Sequence, residues 1–249
     1  LLLFNVAPQC EENWATDLSA TAIQRAQRIA VKKGLNHVTL MNRPGHLFEG
    51  IPTGSFDLVI INSVIQYFGG MDYLVKVLAG AKEVVRDGGA VFVGDVRSLP
   101  LLPAYHASVQ LFQASGDRTR DQLGKIVQSK IALEEELVIA PEFFQALSEE
   151  WDGISRVQLR TRRGVLANEM SKFRYDVLLS IGDQDAALSN ICYQMSDEIA
   201  RALSVDLCAL DWIHGAGEGE TVGEFLAHLE TKEFSKPPAV TPVTVSDKR

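Results

Sequence analysis

The stretch Phe56-Asp57-Leu58-Val59-Ile60-Ile61, running into Asn62-Ser63-Val64-Ile65-Gln66-Tyr67-Phe68, decides the fold. Nearly unbroken apolar residues ending in a polar turn are the pattern of a strand buried on both faces of a parallel sheet. Working outward, strand-like and helix-like segments alternate. Residues 13–16 are strand-like and end at Asp17, Ser19 stands where it caps a helix over 20–33, that helix stops at Gly34, and 37–41 is again strand-like. Downstream, 71–85 reads as an amphipathic helix closed by Asp87-Gly88-Gly89, and 90–94 as a second buried strand. Strands alternating with helices of this length are βαβ units, and their fold class is α/β with a doubly wound sheet.

Between 98 and 150 the pattern becomes helical, over 105–114, 118–137 and 141–150, the last with Pro141 at a helix start. An insertion of this kind between sheet strands lies over the carboxyl edge as a lid. Residues 156–162 alternate apolar and polar, 173–181 follow, and the turn from Arg163-Gly164 to Ser171 makes them an antiparallel hairpin closing the sheet. Then come a helix over 185–203, a loop at 215–219, a short helix over 221–232 and, from Pro237, a Pro-rich tail with an edge strand. The organisation read from this is a core over 1–97, a helical lid over 98–150, the last core strands over 151–182 and a helical extension with linker over 183–249.

Composition narrows the function. The 249 residues carry 24 Lys+Arg against 32 Asp+Glu, a formal charge of -8, which disfavours a phosphate-backbone partner. No apolar run approaches the about 20 residues of a membrane helix. Cys10, Cys192 and Cys208 are an odd number without zinc-like spacing and read as reduced thiols of a cytoplasmic protein. His37, His46, His214 and His228 show no metal-ligand spacing, so no metal is expected. No nucleophile elbow or P-loop is present, and Gly215-Ala216-Gly217-Glu218-Gly219 lacks the strand that a dinucleotide loop follows. The opening Leu1-Leu2-Leu3-Phe4 has neither Met nor signal-peptide architecture and reads as an internal point of a longer polypeptide.

Ligands of open α/β sheets bind outside the carboxyl ends of the strands. There Asp17 is suited either to accept both hydroxyls of a ribose or to cap the next helix. Asn62 and Ser63 either orient a polar ligand or cap a turn. Asp95 and Arg97 form a pair that knits their own turn or faces a ligand. For proton removal from a hydroxyl the lid offers His106, within Tyr105-His106-Ala107-Ser108, and the hairpin offers Asn168-Glu169. A positioned imidazole oriented by a carboxylate is the usual base, although a helix His and a turn Glu also serve as structural and solvated groups.

The blocks Trp14-Ala15-Thr16-Asp17-Leu18-Ser19, Phe56 to Phe68, Gly94-Asp95-Val96-Arg97-Ser98-Leu99-Pro100, Asn168-Glu169 and Phe173-Arg174-Tyr175-Asp176-Val177 resemble the methyltransferase domains embedded in polyketide synthases and nonribosomal peptide synthetases. The resemblance runs from residue 1 to about 182. It implies the class I methyltransferase (Rossmann-like) fold and S-adenosylmethionine as cofactor, with Asp17 and Leu18 at the ribose, Asn62 and Ser63 at the methionine end, and Gln66, Tyr67 and Asn168 toward the substrate. It further implies a glycine-rich Gly-x-Gly-x-Gly loop, with its strand, ahead of Leu1; that motif is not among these residues, and a sheet without it has a gap. Where the family carries an acid near the adenine, this chain has Arg43-Pro44-Gly45-His46. In the oxygen-methylating members a His matches His106 and a Glu matches Glu169, which implies that His106 takes the hydroxyl proton while Glu169 orients it. The implied activity is O-methylation of a β-hydroxyacyl chain on an acyl carrier protein, beside neighbouring synthase domains. Nitrogen or carbon methylation, and a vestigial spacer, are the alternatives. Arg118, Arg120 and Lys125 face either an acidic carrier or solvent.

Overall fold

A short helix α1 (Leu2–Val6) leads into β1 (Asn13–Asp17), which pairs in parallel with β2 (Val38–Asn42), Asp17 opposite Asn42. The connection between them is α2 (Ala20–Lys32), capped by the Ser19 hydroxyl, which accepts from Ala22 N, and ended by Gly34 at φ 69°, a conformation only glycine adopts without cost. The computed structural model describes residues 2–162, 168–182, 197–215 and 219–231. In a second sheet β3 (Phe56–Asn62) lies parallel to β4 (Val85–Arg97), β4 is antiparallel to β6 (Arg174–Ile181), and β6 is antiparallel to β5 (Ile154–Thr161), in the order β3-β4-β6-β5. The carboxyl ends of β3, β4 and β5 and the start of β6 therefore share one rim. The hairpin read from the sequence is present; its turn at 163–167 lies outside the described residues.

The strands fall into two sheets, with the gap expected where a strand is lacking: among the described residues β1 pairs only with β2, and β3 only with β4. The Trp14 and Phe56 rings touch edge-on at 5.6 Å, linking the smaller sheet to the larger. Against the reading of β3 as buried on both faces, Ile61 is buried among the described residues while Leu58 is 45% exposed and Asp57 is exposed.

The helical stretch after β4 divides as well. Phe144 and Leu147 of α6 (Pro141–Glu150) pack into the core of the larger sheet with Val91, Val93, Val177 and Leu179, while α3 (Met71–Val84) contributes Leu74, Leu78 and Ala81 to the same core. By contrast, Ala107 of α4 (Leu102–Gln113) and Leu123 and Val127 of α5 (Arg120–Ala132) share a second core with Ile213 of α8 (Asp197–His214) and Val222 of α9 (Val222–Thr231). Glu220 ties these helices together: its backbone carbonyl accepts from Arg120 N at 3.0 Å, and its carboxylate from Trp212 Nε1 at 2.7 Å. Arg120, read as a candidate carrier contact, is buried here. A four-residue helix α7 (Glu169–Lys172) joins the two cores, since Lys172 Nζ donates to Asp206 of α8 at 2.6 Å and lies 3.4 Å from Ser108 Oγ of α4. The residues preceding Asp197 and following Thr231, where part of a helix and a Pro-rich tail were expected, lie outside the described residues.

Because Phe144 of α6 is fully buried in the sheet core, Phe144→Ala is expected to lower unfolding stability by about 3–5 kcal/mol in denaturant titration. A change below about 1 kcal/mol would show that α6 is only loosely held to that core.

Candidate active site

The chain between α5 and α6, residues 133–140, crosses the carboxyl ends of β3 and β4 as a strap. Leu137 N donates to Gln66 O at 2.9 Å, Ile139 N to Arg97 O at 2.9 Å, and Leu99 N to Ile139 O at 3.1 Å. The phenol of Tyr175 donates to Ile139 O at 3.0 Å. These bonds satisfy strap and rim backbone together, so the strap's position follows from the strand ends.

At its start the strap sets Glu134 against Arg97. Arg97 Nη1 donates to Glu134 Oε1 at 2.7 Å and Nη2 to Oε2 at 2.9 Å, while Nη1 also reaches Glu136 Oε2 at 3.0 Å. The guanidinium lies 5.2 Å from the centroid of the Tyr105 ring. Side-chain exposures of 9% for Arg97 and 14% for Glu134 make this a largely dry two-pronged pair, in which fork matches fork. Removing either partner leaves an uncompensated buried charge.

His106 completes the cluster from α4. Its Nε2 stands 3.2 Å from Glu134 Oε2, the oxygen already held by Arg97. Burial pushes the imidazole pKa below its ordinary value, even though the Glu134 carboxylate pulls the other way. The bond from Arg97 holds Glu134 below the usual carboxylate range. The result at neutral pH is a neutral imidazole beside an ionised carboxylate. A carboxylate only accepts, so Nε2 carries the proton and Nδ1 keeps the lone pair, the arrangement of a general base.

Glu169 is not the residue that orients His106. Its carboxylate accepts from Arg174, and Arg174 Nη1 also donates to Asp95 at 3.1 Å. The cause is local: Asn168 caps α7, its Oδ1 accepting from Ser171 N at 3.3 Å while Ser171 Oγ accepts from Asn168 N at 3.0 Å. That box turns Glu169 toward β6 and leaves Asn168 engaged with its own helix. Glu169 nevertheless lines a shallow depression of about 10 Å³, room for one water-sized body, with Arg97, Ser98, Leu102, Tyr105, Phe173 and Arg174; His106 is not part of its lining. Nor do Asp95 and Arg97 pair with each other. A bulge between Val93 and Val96 sets Asp95 at φ 68°, its N–H donating to Asp176 Oδ1 at 2.8 Å and its buried carboxylate meeting Arg162 and Arg174.

At the end of β3, Asn62 Nδ2 donates to Ser63 Oγ at 2.9 Å, and Ser63 N donates to Gly94 O at 3.1 Å. A Cβ on Gly94 would stand 2.2 Å from Asn62 Oδ1, so glycine is what lets Asn62 lie against β4. Gln66 is buried in the 3-10 turn Ile65–Tyr67, and its Oε1 has no partner among the described residues; Tyr67 is 71% exposed. On the smaller sheet, Asp17 Oδ1 accepts from Ser19 N at 2.7 Å and the carboxylate stays at the surface, as does Leu18, while Asn42 Nδ2 holds both their carbonyls at 2.9 Å. Capping of α2 thus falls to Ser19. Arg43 Nη1 donates to Glu49 O at 2.7 Å, and His46 lies edge-on to Tyr73 at 5.0 Å, where the family pattern has an acid.

Asn62, Ser63, Gln66 and Tyr67 follow β3 and Asn168 and Glu169 precede β6 on the larger sheet, His106 joins them from α4 through Glu134, and Asp17 and Leu18 stay on the smaller sheet. Sequence reading missed Glu134, Glu136, Arg162 and Arg174. The signal for Glu134 was three consecutive acids, 134–136, interrupting an apolar run before Pro141. Two acceptors would suit a nucleoside donor, the surface carboxylate of Asp17 and the buried Gln66 Oε1, whereas the acids of the rim are already bound by Arg97, Arg162 and Arg174. Among the described residues no group of three His, Cys, Asp or Glu is placed to hold a metal ion, and no helix is long and apolar enough to cross a membrane.

Residues 1–91 match the model of the family described as "methyltransferase domain". The chain is 44% identical over 183 residues, 73% of its own length, to a part of chondramide synthase cmdD of Chondromyces crocatus, and 30% identical over 187 residues, again 73%, to a part of the nonribosomal peptide synthetase penN of Penicillium thymicola. It spans 5% and 7% of those relatives. A solved S-adenosylmethionine-dependent methyltransferase from Clostridium acetobutylicum aligns with a TM-score of 0.49 at 16% identity, covering 73% of this chain and 80% of that one.

The dyad has a titration signature. In carbon-13 NMR, His106 is expected to titrate below the ordinary histidine value, and Glu134→Gln is expected to lower it further, because the charge that favours the imidazolium is gone while Arg97 remains. The folded state binds the His106 proton less readily than the unfolded chain. Stability from this group is therefore present above pH about 6.5 and is lost as pH falls below it. An upward shift in Glu134→Gln would break the assigned pairing.

Proposed function

The chain belongs to the methyltransferase-domain family, and from that premise we propose that it transfers the methyl group of S-adenosylmethionine to the hydroxyl oxygen of a β-hydroxyacyl group carried on an acyl carrier protein, within a modular polyketide or hybrid synthase. One observation carries the acceptor: the imidazole of His106, held at Nε2 by Glu134 and driven toward its neutral form by burial, which leaves Nδ1 as the lone-pair nitrogen. S-adenosylmethionine would supply an electrophilic methyl on sulfur, leaving as S-adenosylhomocysteine once the methyl is transferred. An aliphatic hydroxyl is a poor nucleophile, and the part of His106 is to take its proton at Nδ1 as the hydroxyl oxygen attacks. The imidazolium that results is stabilised by Glu134, and Glu134 is fixed by Arg97 before the reaction begins. Asp17 is suited to the ribose diol with Leu18 beside it, Asn62 and Ser63 to the polar end of the donor, and Gln66, Tyr67 and Asn168 to the acceptor side; Glu169 lines the depression with Arg174.

A second reading, transfer to the amino nitrogen of a carrier-bound aminoacyl group, is favoured by a specific observation: a relative covering 73% of this chain is described as a nonribosomal peptide synthetase. A protonated amine needs the same base. In the spacer reading the rim binds no donor.

His106→Ala is expected to bind S-adenosylmethionine in calorimetric titration like the parent and to lose methyl transfer by a factor of about 10²–10⁴. Mass spectrometry of carrier-bound hydroxyacyl and aminoacyl substrates, incubated with protein and donor, separates the acceptors. A +methyl hydroxyacyl product supports the oxygen reading and a methylated aminoacyl product the nitrogen one. Absence of donor binding together with absence of product supports the spacer, and unchanged turnover in His106→Ala removes it as base.

A further inference from the structure

The outward face of α2 carries Arg25, Arg28 and Lys32, three or four residues apart and thus on one stripe, with Lys33 at the helix end. No acid occurs anywhere in residues 20–34. These positions are exposed, and none of the four cations forms an ion pair among the described residues. The inward face of the same helix, with Ile23, Ala26, Ile29 and Ala30, is turned to β1 and β2 and explains why the helix forms and stays. Packing does not explain the cations. Beside them Val31 is 68% exposed, an apolar contact within a charged field.

The rest of the molecule sharpens the contrast. Taking those four from 24 Lys+Arg leaves 20 against 32 Asp+Glu. Around the candidate site, Asp17, Asp95, Glu134, Glu136 and Glu169 outnumber Arg97, Arg162 and Arg174. An acidic macromolecule is therefore repelled from the site itself and attracted to α2. The helix starts three residues after Asp17, the end of β1 and the proposed ribose contact, so Arg25 lies about 8 Å and Lys32 about 18 Å along its axis from that start. A partner seated along α2 is next to that strand end, as required of a protein that delivers a substrate on a flexible arm.

We propose that the Arg25-Arg28-Lys32 face of α2, with Val31, is the docking surface for an acidic carrier protein that presents the acceptor to the rim. This rests on the carrier-bound acceptor of the proposed function. Nucleic acid and anionic membrane are disfavoured by the acidic remainder of the molecule, which would repel an extended polyanion.

The test compares the full chain with the exposed-site variant Arg25→Glu/Arg28→Glu/Lys32→Glu, after thermal melts show equal folding. Fluorescence anisotropy with a labelled acidic holo-carrier domain is expected to show binding to the parent that weakens steeply between 50 and 500 mM NaCl, at least tenfold, as roughly expected for a few charge contacts, and at least tenfold weaker binding by the variant. In steady-state kinetics the variant's KM is expected to rise for the acceptor on the carrier and to stay unchanged for the same acceptor on free pantetheine. Equal carrier binding by parent and variant, or no binding by the parent, overturns the docking surface. So does charge-dependent binding to RNA or anionic vesicles without binding to the carrier. Loss of carrier binding in the variant supports the surface even when neither substrate is methylated, and that outcome counts against the methyl-transfer reading alone.

Discussion

The organisation of the rim depends on one buried ion pair. Arg97 stands at the end of β4, and its two terminal nitrogens fix both oxygens of Glu134 on the strap between α5 and α6. A charge this far from water needs a partner in place, so the strap and the strand end stabilise each other. Glu134 in turn offers Oε2 to His106, which connects a helix from the second core to a strand of the first. Three segments distant in sequence thus converge on one carboxylate. The backbone bonds of Leu137 and Ile139 keep that convergence independent of the side chains alone.

Chemical roles follow from the separation of environments. His106 is driven toward neutrality by burial, and Glu134 toward ionisation by Arg97, so at neutral pH both groups are in their deprotonated forms, one uncharged and one anionic. A second arginine–acid cluster around Asp95, Arg162, Arg174 and Glu169 lies on the same rim but is internally compensated. It shapes the wall of the depression and keeps Glu169 occupied. The two clusters remain distinct because the bulge in β4 sends Asp95 and Arg97 in different directions, although two residues apart on a regular strand they would share a face.

The fold was largely legible in the sequence where a local rule applied. The capped start of α2, the glycine at its end, the apolar runs of β3 and β4 and the alternating hairpin strands were all local signals. The site was less legible because its defining contacts are long-range. Glu134 sits in a run of acids that by itself suggests a solvated surface, and only the strap's hydrogen bonds to Gln66 and Arg97 carry it inward. Glu169 was chosen as the orienting acid on family pattern, yet its own helix cap aims it at Arg174. Similarly, the helices after β4 read as one cover, while their apolar faces answer to two different cores. Periodicity shows that a helix has an apolar face; it does not say which core that face joins.

The phenol that fastens the strap has a further physical consequence. Tyr175 is buried, and burial raises its pKa well above the ordinary phenol value. The hydroxyl therefore keeps its proton, and with it the bond to Ile139 O, in alkaline solution that ionises an exposed tyrosine. Base alone does not unfasten the strap at this point.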